Sequence, residues 1–148
     1  MPLEQVPLQQ VKDRCDIIEE CYEFMLAYAA QGLARDSGSG SGEQLRQQMS
    51  RAVAAMGGLT AAYKSAIAQE GLESPHRHEA FLQVLDSDCQ SALAAMELVL
   101  SQPVISSQLV DNLNASIHLR ALLTDLFLLD EIAKLQQLAP DQSISAKT

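Results

Sequence analysis

The chain has no tryptophan, and aromatic residues make up only 4% of its 148 positions. Sheets draw on Val, Ile, Thr and aromatics, whereas the 47% hydrophobic content here comes mostly from Ala, Leu and Met, which favour helices. Basic residues are scarce as well. Ten Lys and Arg stand against nineteen Asp and Glu, a formal net charge of −9. Such a surface repels phosphate backbones and anionic lipid, so neither nucleic acid nor a membrane is an expected partner. No run of about 18 uncharged apolar residues is present to cross a bilayer. Met1 to Gln10 lacks the basic stretch and apolar run of a secretory leader. The three cysteines, Cys15, Cys21 and Cys89, are odd in number and form no C-x-x-C. Together with the missing leader and the missing apolar span, a reducing cytoplasm fits this best.

Catalytic and metal motifs are missing too. There is no G-x-S-x-G and no H-E-x-x-H. A di-iron bundle needs Glu-x-x-His on two helices and a further Glu on each of the others, but only Glu73-x-x-His76 fits, and it falls in a turn. His76 and His78 with Glu79 read as solvated residues beside that turn. A phosphotransfer histidine is followed by a Lys and a small residue, whereas His118 is followed by Leu119, Arg120, Ala121 and Leu122. No enzyme activity and no cofactor are expected.

What is present is helical periodicity. Leu8, Val11, Cys15, Ile18, Tyr22, Met25 and Ala29 step by threes and fours, which predicts a helix over about 8–31 that stops at Gly32. Its acids, Asp13, Asp16, Glu19, Glu20 and Glu23, fall on the opposite side. Ser37-Gly38-Ser39-Gly40-Ser41-Gly42 marks a flexible loop over 33–42. A second helix, about 43–70, carries Leu45, Met49, Ala52, Met56, Leu59, Tyr63 and Ala66. Gly57-Gly58 within it signals either close approach of a neighbour or a bend. Ser74-Pro75 starts a third helix, about 75–100, with Leu82, Leu85, Cys89, Ala92, Met96 and Val99 in line. A fourth, about 104–138, is the longest, and a polar tail over 139–148 is expected to be disordered.

Short connections from the second helix to the third and from the third to the fourth imply antiparallel neighbours, and the longer loop over 33–42 allows the same for the first two. The expected fold is an all-α, left-handed, up-down-up-down four-helix bundle in a single domain, with crossing angles of about 20°. The fourth helix departs from one stripe per helix. Leu109, Val110, Leu113 and Ile117 lie on one face, and Leu119, Leu122, Leu126, Leu129 and Ala133 on another. An apolar girdle needs cover on all sides, which predicts a homodimer through Leu119, Leu123, Leu126, Phe127 and Leu128. Asp125 sits within that girdle, on one face with His118. Arg14 lies between Cys15 and Ile18 on the broad apolar side of the first helix, so an Arg14–Asp125 pair is expected to satisfy both charges.

The functional expectation is a non-enzymatic cytoplasmic adaptor, chaperone or regulator that binds itself and another protein. The alternative is a ligand- or metal-binding bundle using the core around Cys15, Cys89, His118 and Asp125.

Overall fold

The computed structural model describes residues 6–147 in backbone and 6–135 in side chains. Among the described residues it is all-helical, with five helices: α1 (Pro7–Ala30), α2 (Gly40–Gln69), α3 (Pro75–Leu100), α4 (Ser107–Ala115) and α5 (Ile117–Lys147). The tail expected over 139–148 lies outside the residues whose side chains are described. Pro7 and Pro75 each occupy the first turn of a helix, where no N–H is needed. Gly32 and Gly71 take positive φ just past the ends of α1 and α2, a backbone that side chains disfavour.

The expected count of four helices is corrected to five. The segment 104–138 is not one rod but breaks at Ser116, whose ψ of 142° takes it out of the helix. The break is held by capping. The Ser116 N–H donates to the Leu113 carbonyl, and its Oγ accepts from the Leu119 N–H at 3.3 Å. Ser106 caps α4 in the same way, its Oγ accepting from the Leu109 N–H at 3.0 Å. The shift of the apolar stripe after Ile117 is therefore a change of helix. Ile117 ends up 74% exposed, while Leu119, Leu122, Leu126 and Leu129 enter the core.

α2 and α3 bury the seams read from their periodicity, with Leu82 only half-buried at the start of α3. In α1 the buried stripe drifts. Cys21 and Tyr28 are buried, and Tyr22 and Ala29 lie at its edge. A helix of 3.6 residues per turn rotates away from a strict seven-residue repeat by about 20° each heptad. α1 and α2 run antiparallel: the Leu8 N–H at the start of one donates to Glu70 at the end of the other, and the Ser41 hydroxyl donates to Gln31. α4 lies chiefly on α1, and α5 chiefly on α3.

The two poles of the bundle differ. At one, the end of α1 and the connection from α3 to α4 are joined by polar contacts. Tyr28 Oη donates to the Ile105 carbonyl at 2.7 Å, and Ser107 Oγ donates to the Tyr28 carbonyl at 2.7 Å while accepting from the Leu33 N–H. Asp36 pairs with Arg46 and accepts the Ile105 N–H at 2.7 Å. Arg46 also donates to the carbonyls of Leu100, Gln102 and Pro103, capping the end of α3. The Gly/Ser segment is thus tied down at Asp36, and α2 starts at Gly40, capped by Ser39. The opposite pole holds the turn from α2 to α3 and is open.

Candidate functional site

At the open pole, α3 and α5 part to leave a half-open groove of about 470 Å³. Phe81 forms one wall. Leu128, Ile132 and Leu135, at i, i+4 and i+7 on α5, form the other, with Tyr63 and Leu129 at the floor. The size is that of a small-molecule or side-chain cleft. Glu73, Ser74, Arg77 and His78 make its polar end. Ser74, the residue before α3, is held at φ +54°, a left-handed conformation costly for a non-glycine. A void of about 30 Å³ lies behind the floor, lined by Val11, Cys15 and Tyr63 among others.

Tyr63 Oη and His78 Nδ1 meet at 2.5 Å, with the rings edge to face. Burial pushes the Tyr63 phenol up to about 12 and lowers the His78 imidazole. Both shifts oppose transfer of the phenol proton to the ring, so the pair is neutral at pH 7 and is not an activated nucleophile. His78, expected to be solvated, is half-buried by this contact, whereas His76 is exposed.

Further along the same α3–α5 seam, Asp125 is 5% exposed and its carboxyl lies against that of Asp88. Oδ2 of Asp125 has no partner among the described residues. Burial first, and then the neighbouring Asp88, push Asp125 up to about 7.

The expected Arg14–Asp125 pair is not brought together. Arg14 Nη1 donates to the carbonyls of Ala54 and Ala55 at 3.2 and 3.1 Å, lying over Gly58, where a Cβ would strike the guanidinium. Gly58 thus serves a close approach, by a side chain from α1. Its neighbour Gly57 faces open space.

The five residues expected at a dimer interface divide. Leu119, Leu123 and Leu126 are buried in the bundle, while Phe127 and Leu128 are 54% and 49% exposed. Nor is the alternative core constellation assembled. Cys15 lies on α1 by the void, Cys89 Sγ donates to the Met56 carbonyl, and His118 is exposed. Cys89 and Asp125 alone are neighbours. Among the described residues no group of three or more His, Cys, Asp or Glu is placed to hold a metal ion. Burial raises the thiols, Cys15 and Cys21 to about 12 and Cys89 to about 11, so all three are protonated and unreactive in the fold.

Periodicity placed Tyr63 in the core, but not the groove that it floors. Asp88 and the Asp36–Arg46 pair escaped sequence reasoning because each depends on a contact between distant segments. Leu128 and Ile132 carried a signal, as apolar residues outside the core stripe of α5. No family model, curated protein or solved structure matches the chain.

Proposed function

We propose that the chain is a non-enzymatic interaction module that takes the apolar face of a partner's helix into the groove between α3 and α5. The observation that carries this is the stripe of Leu128, Ile132 and Leu135, exposed along one wall of an apolar cleft and faced by Phe81. Helix-in-groove recognition reads this spacing. The partner's flanks are basic, in keeping with an acidic chain whose Glu73, Glu79 and Glu131 are exposed close to the groove residues in sequence. Lys134, on the same stretch of α5, is already engaged by Asp130 and Glu131. We read the helices as four rods in left-handed up-down order, the fourth jointed at Ser116, in a protein of the reducing cytoplasm.

A labelled basic amphipathic peptide tests the reading. Binding should weaken at least tenfold in Leu128→Asp and in Ile132→Asp while helicity is unchanged, and should weaken with salt. Equal binding by wild type and both variants rejects it. A second reading is a homodimer through α5, favoured by Phe127, which is more than half exposed yet does not line the groove. Light scattering separates the two: a dimer that Phe127→Asp dissolves supports the second, and a monomer at micromolar concentration rejects it.

A further inference from the structure

On the seam between α3 and α5, among leucines of the core, Asp88 of α3 meets the buried Asp125 of α5. Two carboxylates in contact cannot both be charged without strong repulsion, and burial makes that worse by removing the water that would screen it. Among the described residues no opposite charge bears on Asp125. Neither carboxylate takes part in an ion pair among the described residues. From α3 the remaining titratable neighbours are Asp86 and Cys89, an acid and a buried thiol that donates to Met56. α4 offers only Asp111, which is exposed. The acids of α1, Asp16 and Glu19, face Cys15 and Asp130 instead. His118, on Asp125's face of α5, is two turns away and exposed.

We infer that the α3–α5 seam is a proton-operated latch, in which Asp88 and Asp125 hold the helices together while they share a proton and drive them apart once both are charged. Protonated, one carboxyl donates to the other and a buried acceptor is satisfied. Deprotonated, each presents only acceptors, and Oδ2 of Asp125 is already without a donor. The carboxyl of Asp125 titrates near neutrality, about 7, so the change falls in the range cells reach.

The sign follows from linkage. The closed seam binds a proton that the opened seam releases, so opening becomes easier as pH rises from about 4, and levels off once the closed form has lost its own proton, at about 7. Backbone amide exchange between pH 4.5 and 8, corrected for the intrinsic pH dependence of exchange, reads this without any partner. It is therefore separate from the groove reading. Protection across residues 81–92 and 121–132 should fall by up to tenfold per pH unit and flatten above 7, while α1 and α2 hold theirs. Asp125→Asn should abolish the slope. Asp88→Asn, which keeps Asp125 and removes its neighbour's charge, should move the levelling-off point to lower pH, and it carries the test by itself if Asp125→Asn fails to fold. Protection independent of pH in the wild type, a fall shared equally by all helices, or an Asp88→Asn profile that does not move overturns the latch.

Discussion

Two buried carboxylates pull the pH dependence of stability in opposite directions. The Arg46 guanidinium beside Asp36, with the Ile105 N–H, holds that carboxyl below its ordinary range. Its contribution is complete above the unfolded value, near 4, and is lost as pH falls through the folded one. Asp125 is raised instead, so what it gives is complete below about 4 and is lost on the way up to about 7. Thermal melts should show both limbs. Asp125→Asn should raise the midpoint at pH 7.5 by roughly 5 °C and leave it unchanged at pH 4. Asp36→Ala strands Arg46 beside the end of α3 and should cost about 3 kcal/mol at neutral pH, read by urea denaturation. Glycines give a cleaner contrast. Gly57→Ala adds a methyl into open space in mid-helix and should stabilise by about 1 kcal/mol. Gly42→Ala drives its Cβ into the backbone of Asp36 and should destabilise strongly.

For individual helices, legibility followed range. Stripes at three- and four-residue spacing identified α2 and α3 almost residue by residue, because a core-facing helix repeats the same demand every turn. The fourth predicted helix, about 104–138, begins later, at Ser107, and is broken at one residue within it. Its stripe changed face, which periodicity recorded, but the cause lies in Ser116, a serine whose side chain competes with the helix for a backbone N–H. A run of Ala115-Ser116-Ile117 inside an apolar stretch gives little warning of that. Ser116→Ala should cost about 1 kcal/mol through loss of the cap. The measurement is the urea midpoint, and an unchanged value would mean that packing alone sets the joint. The groove and the acid pair were less legible than the helices. Both require α3 and α5 to be neighbours, and no local pattern states which faces will meet. Asp125 was recognised as a buried acid from its flanking leucines; its partner was misassigned to Arg14, because opposite charge is the ordinary remedy and the alternative, a shared proton, leaves no mark on sequence.

On the scale of the molecule, the three thiols are a reporter of integrity. All are buried and protonated, so a thiol reagent at neutral pH should label none of them in the native chain and all three in denaturant. Labelling of Cys89 alone would point to opening between α2, α3 and α5, since Cys15 and Cys21 sit on α1. The asymmetry of the poles bears on how such opening proceeds. Contacts at one end tie residues near 28–46 to residues near 100–107, closing a long stretch of chain, while the far end rests on side-chain packing, the Leu8–Glu70 hydrogen bond and the Tyr63–His78 contact. A bundle fastened in that manner behaves as a pair of tongs. What play it has gathers at the open end, where the groove lies, while the contacts that limit it, at Asp36, Arg46 and Ser107, are not among the residues that line that groove.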